Sequence, residues 1–253
     1  MQPDLLEIFE AEFSKPPSQI EELAAREALG AEYPAGLHTY SWVSRTELRD
    51  AAARVAPGDR LVDLGCGRGG PGLWIAGVSG ASLIGVDIAE SGLAQARQLA
   101  DELGVPGTEF RVGSFGDSGL HSASADAVVT FDAFLFEPDK AAGFVELARI
   151  LRPGGSLTMI SWDYHTQPQN RPPQVPDHRP LAQAAGLVVE SYSETVNWRE
   201  RCFAYADYLR AHADDLAAEG PESVEQIRAG IDEMRSTMEC MERRFELVAR
   251  KPA

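Results

Sequence analysis

Residues 61–76 read LVDLGCGRGGPGLWIA. An apolar run carries Asp63 near its end and drops into Gly65, Gly67, Gly69, Gly70 and Gly72. Glycine tolerates positive φ and close backbone approach, so this run makes a turn against which a nucleotide-like ligand can lie. The spacing from Gly65 to Gly70 fits the dinucleotide fingerprint G-x-G-x-x-G. Asp63 argues against that ligand. Phosphate sites gather the positive ends of backbone dipoles, and a buried carboxylate beside the turn repels pyrophosphate. The same carboxylate suits a ligand that carries an ammonium group.

On either side of the turn, short apolar runs alternate with helical stretches, as in a mainly parallel sheet covered on both faces. Strands are expected at 60–64, 82–86, 109–112, 127–131 and 156–161, with helices at 71–78, 91–103 and 139–151. Gly104 closes the second of these helices and Pro153-Gly154-Gly155 the third. The five prolines of HTQPQNRPPQVPDHRP (165–180) exclude regular structure there. They place a long loop at the carboxyl end of the fifth strand, the edge where open α/β sheets bind ligands. A short helix (180–186), a sixth strand (187–192), a helical stretch (199–240) and a last strand (244–250) follow. Before the turn, helices are expected at 4–13, 18–29 and 44–55, with an irregular aromatic segment, AEYPAGLHTYSW, at 31–42.

Composition narrows the partners. The net charge of −16 opposes binding to phosphate backbones, and no Lys/Arg run offsets it, so a small molecule is favoured over nucleic acid. No stretch nears the roughly 18 apolar residues that span a bilayer. The start, MQPDLLEIFEAEF, is acidic and amphipathic rather than a signal peptide, so the expected location is the cytoplasm. Cys66, Cys202 and Cys240 are too scattered for a disulfide framework, and neither they nor the five histidines have metal-ligand spacing. No metal is expected. Monomer and homodimer both stay open.

Asp87 ends the second strand in SLIGVDIAESGLAQAR, where a carboxylate can accept from both hydroxyls of a ribose. VGSFGD (112–117) follows the third strand and LRPGGSLTMISW (151–162) leads into the fifth. Taken in order with VDLGCGRGG and ADAVVTFDAFLFEPD, these segments resemble the class I S-adenosylmethionine-dependent methyltransferases, nearest to the small-molecule enzymes of bacterial, actinobacterial-type natural-product biosynthesis. The resemblance covers 44–162 firmly and the last strands loosely. It implies a Rossmann-like, doubly wound sheet of seven strands, the last antiparallel. Helical caps are expected from the N-terminus (1–43) and between the last two strands (199–241), around a core of 44–198 and 242–253. It implies S-adenosylmethionine as cofactor, S-adenosylhomocysteine as product, and transfer by in-line displacement to an oxygen, nitrogen or carbon of a small acceptor. On this likeness Asp63, Gly65, Cys66 and Gly67 surround the methionine part, Asp87 takes the ribose, and Ile88, Phe115 and Phe131 border the nucleoside. Where relatives carry an acid for the adenine amine this chain has Ser114, with Asp117 three residues on, and either can fill the place. A non-methylating descendant of the fold, such as a cyclase, is the alternative; a nicotinamide-dependent oxidoreductase is a weaker one.

Acceptor contacts are expected at the sheet edge and in the caps. Asp132, His165 and His38 are the candidate proton-handling groups, each with an ordinary alternative as a turn cap or a solvated loop residue. Tyr33, Tyr40, Trp42, Phe134, Tyr164, Trp198 and Tyr205 are the candidate substrate contacts, with Asp163 and Tyr208 nearby; core packing competes for all the aromatic ones. Met234, Met238 and Met241 share a helical face that core packing explains first and a pocket wall second. Cys66 reads as a small buried residue, and His121, His178 and His212 as surface.

Overall fold

The computed structural model describes residues 5–253. Residues 1–4, including the first position of the helix expected at 4–13 and the start of the expected 1–43 cap, lie outside the described residues. Helices α1 (Leu5–Phe13), α2 (Gln19–Leu29) and α3 (Arg45–Ala52) precede strand β1 (Arg60–Leu64). Then α4 (Gly70–Ser79), β2 (Ser82–Asp87), α5 (Glu90–Leu103), β3 (Thr108–Val112), β4 (Ala125–Phe131), α6 (Lys140–Ile150) and β5 (Leu151–Tyr164) alternate along the chain. The seven strands, completed by β6 (Val188–Glu194) and β7 (Met241–Arg250), stand in the order β3-β2-β1-β4-β5-β7-β6. All pairs are parallel except those of β7, which runs antiparallel between β5 and β6.

The two faces of the sheet follow from the period-two alternation of strand side chains. In β1, Leu61 enters the apolar layer with Leu48, Leu73, Leu83 and Leu93, beneath α3, α4 and α5. Val62 and Leu64 enter the opposite layer with Phe144, Leu147, Leu157 and Phe245, beneath α6. Asp63 falls on the side of Leu61, at the carboxyl end of the central strand. A parallel sheet buried on both faces is what such near-continuous apolar runs require.

Two expected boundaries move. Helix α6 stops at Ile150, and β5 begins at once, passing through Pro153-Gly154-Gly155 before the expected strand. The register against β4 shifts between Ala125 and Ala127, and Gly154 takes φ +80°, an irregularity that accommodates a proline inside a sheet. The helical stretch after β6 is three helices rather than one: α8 (Trp198–Ala211), α9 (Ala213–Ala218) and α10 (Val224–Glu239). Gly220-Pro221 cannot continue α9, and Ser223 with Gln226 forms a reciprocal capping box that starts α10. The proline-rich loop leads to the short helix α7 (Arg179–Ala184), close to the expected span.

Helices α2, α8 and α10 meet through Ala24, Ala206, Leu209, Ile227 and Ile231. The N-terminal segment and the late helices thus share one apolar cluster over the carboxyl edge of the sheet. No helix among the described residues is long and apolar enough to cross a membrane.

Candidate active site

The glycine turn needs its glycines for two separate reasons. Gly65, Gly67 and Gly69 have φ of +77°, +50° and +79°, where a Cβ is strained. Gly65 is also packed so closely that a Cβ would lie 2.5 Å from that of Ala133, and one on Gly70 would overlap the carbonyl oxygen of Leu37. The turn is a cradle whose floor is bare backbone. Asp63 is 2% exposed, and its Oδ2 accepts from the Gly72 amide (3.1 Å) in the first turn of α4, a donor with no partner within the helix. Burial pushes the Asp63 carboxyl up to about 7. Asp87 accepts from the Gly67 amide (2.8 Å) with one oxygen and from the Ala89 amide (3.0 Å) with the other. Each oxygen keeps a second lone pair for a diol. The Gly67 amide, being engaged by Asp87, is not among the donors left for a ligand.

These groups border a cleft of about 980 Å³, part of it open to solvent. Asp63, Gly65, Cys66, Gly67, Asp87, Ile88, Ser114, Phe115 and Phe131 all line it. Of the two candidates for the adenine contact, Ser114 lines the cleft. Asp117 instead folds back, its backbone paired with Ser114 and its carboxylate with the Gly119 amide (3.1 Å). Burial pushes the Cys66 thiol far up, which leaves it unreactive.

Helix α1 closes the other side of the cleft with Leu5, Phe9 and Phe13. It is held there by Glu10, whose carboxylate accepts from the Glu90 and Ser91 amides (2.7 and 3.2 Å) at the start of α5. The N-cap of α5 is Ala89, which offers no side-chain acceptor, so Glu10 serves that helix terminus from a distance. Arg68 lies between α1 and the turn, donating to Gln95 (3.0 Å) and standing over the ring of Phe13.

A second cavity, about 1380 Å³ including open space, adjoins the first. Thr39, Tyr40, Ser41, Arg68, Asp132 and Phe136 line both. Asp132 forms the junction in a left-handed conformation (φ +51°). Its oxygens receive the Arg244 guanidinium (Nε 2.9 Å, Nη2 2.8 Å), the Ser41 hydroxyl (2.7 Å) and the Trp42 amide (3.0 Å). Arg244, 2% exposed, also reaches Glu47 at 2.5 Å. Asp132 therefore sits at the junction as a paired carboxylate that pins the 39–42 segment.

The structure gathers some of the expected acceptor contacts and disperses others. His38, Tyr33, Tyr40, Trp42 and Tyr205 line the second cavity, with Trp42 edge-on to Tyr205. Met234, Met238 and Met241 line it too, while Met238 and Met241 also pack in the apolar cluster behind it, so wall and core are here the same residues. His165 lines neither cavity; it is exposed and bonded to Thr166 and to the Glu239 carbonyl (both 2.9 Å). Phe134 is fully buried among Phe115, Phe144 and His178. Tyr164 and Trp198 belong to the cluster behind the cavity, Trp198 with its indole donating to Glu194 (2.7 Å). His178, expected at the surface, is 0% exposed. Its Nδ1 lies 2.8 Å from Asp163, which also receives the Tyr192 hydroxyl (2.6 Å), and burial depresses the imidazole pKa. The expectation failed because α7 folds this end of the proline-rich loop onto the core, a tertiary event with no local signal.

Phe9, Phe13, Arg68, Ser41 and Glu21, which line the cavities, and Arg244, which holds Asp132 at their junction, are not singled out by the sequence; all but Arg68 come from segments distant from the glycine turn. Only Arg68, inside the glycine turn, had a local cue.

Residues 62–159 match a methyltransferase domain. The chain is 33% identical over 119 residues to cycloartenol-C-24-methyltransferase 1 of Oryza sativa subsp. japonica, covering 46% of this chain and 35% of that protein. It is 32% identical over 109 residues to the methyltransferase GfsG of Streptomyces halstedii, covering 42% and 38%. The chain thus spans little more than a third of the length of these relatives. Among solved structures, the [4+2]-cyclase SpnF superposes with a TM-score of 0.78 at 20% identity, covering 100% of this chain and 98% of that one, a likeness of fold. Residues 62–159 are thus similar to a methyltransferase domain, set within a seven-stranded sheet of order β3-β2-β1-β4-β5-β7-β6.

Proposed function

We propose that this chain transfers the methyl group of S-adenosylmethionine to a small molecule, with the cofactor in the glycine-turn cleft and the acceptor in the adjoining cavity. The observation that carries this reading is the shared wall of the two cavities, where Tyr40, Ser41, Arg68 and Asp132 stand. A group in the first cleft and a group in the second meet there. The residues present suit the cofactor: the bare cradle at Gly65 admits a close approach, Asp63 faces an ammonium, and Asp87 keeps acceptor capacity for a ribose. When bound, S-adenosylmethionine supplies a methyl on an already activated sulfonium. The chain's own contribution is then positioning, which is worth roughly 7–11 kcal/mol in well-oriented reactions. Asp132 fixes the 39–42 segment against the sheet edge, Phe9 and Phe13 cover the cleft from water, and Tyr33, Tyr40, Trp42 and Tyr205 surround the acceptor. The net charge of −16 favours a small molecule over nucleic acid, and three unpaired cysteines suit the cytoplasm.

By their names, one relative above is a C-24-methyltransferase of cycloartenol and the other a methyltransferase of Streptomyces halstedii. These support a secondary metabolite, or its precursor, as acceptor. Cyclisation without methyl transfer is a second reading, favoured by the full-length match to a cyclase, caps included. Calorimetry with S-adenosylhomocysteine and with NAD, followed by transfer of labelled methyl to candidate acceptors, tests both. Binding of the homocysteine nucleoside with methylated product supports transfer; binding with a cyclised, unlabelled product supports the second reading. Binding of NAD alone overturns both.

A further inference from the structure

The second cavity has an uneven wall. Most of it is apolar: Trp42, Phe136, Trp162, Tyr205, Met234 and Met238. Its charged groups are nearly all committed elsewhere. Glu22 pairs with Arg26 (2.7 Å), Asp132 with Arg244, and Arg68 with Gln95 and the Phe13 ring; Arg171 stands over Phe136. Glu21, in the first turn of α2, differs. Its backbone amide bonds Ser18, but among the described residues its carboxylate has no hydrogen bond or ion pair, and it is mostly buried. A carboxylate held in an apolar wall without a partner is costly to keep. A ligand that brings a donor removes the cost.

We infer that the second cavity takes a bulky, mainly apolar molecule bearing a hydrogen-bond-donating head, an ammonium or a hydroxyl, and that Glu21 receives this head. Glu21 lines the second cavity and not the cofactor cleft, so it is a positioning and specificity residue. The inference rests on the methyl-transfer reading only in naming the occupant an acceptor. The groups acting on Glu21 electrostatically are Glu12 and Lys15 from α1 and its end, Arg68 from the glycine turn, and Glu219 from the end of α9. Across the cavity the phenols of Tyr40 and Tyr205 also feel its charge. Burial, with Glu12 second, lifts the Glu21 carboxyl to about 7, so its charge changes within the working pH range.

Three rigid probes share one apolar body: 1-adamantylamine, 1-adamantanol and adamantane-1-carboxylate. Titrated by calorimetry into the full chain saturated with S-adenosylhomocysteine at pH 8, the amine and the alcohol bind, and the amine at least tenfold more tightly than the carboxylate. Lowering the pH to 6 weakens the amine about tenfold, as Glu21 takes up its proton. Glu21→Gln, checked as folded by an unchanged or higher unfolding midpoint, removes both the preference for the amine and its pH dependence. It leaves the affinity for S-adenosylhomocysteine unchanged. Equal binding of the amine and the carboxylate, no binding of any probe, or retained pH dependence in Glu21→Gln overturns the inference. Failure to bind S-adenosylhomocysteine instead overturns the methyltransferase reading.

Discussion

The two cavities differ in how they are made. The first cleft, the proposed cofactor site, is built mostly from turns that follow consecutive strands, β1, β2, β3 and β4, and its carboxylates Asp63 and Asp87 are tied to backbone amides. The second cavity, the proposed acceptor site, is assembled from α2, the 39–42 segment, β5, α8 and α10, and is walled by large apolar side chains. Backbone geometry fixes the first. Side-chain packing between distant segments fixes the second. A cleft made of backbone suits a ligand that is constant, and a cavity made of side chains suits one that differs between relatives of the same fold.

The sharpest way to break this division is at the clamp that holds Asp132, the residue at the junction of the two regions. Arg244→Ala leaves Asp132 and Glu47 buried without their cation. Loss of one partner from such a cluster costs about 3–5 kcal/mol, so urea unfolding is expected to show a large drop in stability. A change below 1 kcal/mol would mean that the cavities do not depend on this clamp. Next, Asp87→Ala removes two acceptor sites for the ribose and frees the Gly67 and Ala89 amides. Charge-assisted bonds contribute roughly 1.5–3 kcal/mol each, so S-adenosylhomocysteine affinity is expected to fall at least about 100-fold by calorimetry. Adamantylamine binding to the second cavity should persist. An unchanged dissociation constant would remove the nucleoside from this cleft.

Smaller effects sharpen the contrast. Glu21 and Asp63 both have carboxyls lifted to about 7 in the folded chain, above their unfolded values. Between roughly pH 4 and 7 the native state therefore holds more protons than the unfolded state, and these two groups make stability fall as pH rises through that window. Glu21→Gln should flatten its share of that fall and raise stability at pH 8 by about 1–2 kcal/mol, read from the unfolding midpoint between pH 5 and 8. A lower midpoint at pH 8 would show that the carboxylate is already compensated. Least of all, His165→Ala should change stability by no more than about 0.5 kcal/mol and leave methyl transfer intact, since the side chain faces solvent away from both cavities. A large loss of transfer would place the proline-rich loop at the acceptor.

The difference between the regions also marks how far local reading of the chain reaches. The strands around the turn were legible because their apolar runs, the glycines and the PGG stop are local signals. So was Asp87, placed by its position at the end of β2. The break of the late helical stretch lies in Gly220-Pro221 and the Ser223 capping box, which are local signals too. His178 and Phe134 were misplaced because nothing in a residue's neighbours along the chain says which loop folds inward.

The amino-acid sequence by itself determined the sheet, the glycine cradle and the two carboxylates at its edge. Each depends on backbone conformation within a few residues, and the types needed there, glycine at positive φ and an acid at a strand end, are restricted. Tertiary structure alone decided that Arg244 meets Asp132 and Glu47, 112 and 197 residues away. It alone set Glu21 among the aromatic rings of the second cavity. Those contacts exist only when separate segments pack, and burial then turns an ordinary surface carboxylate into an unpaired one.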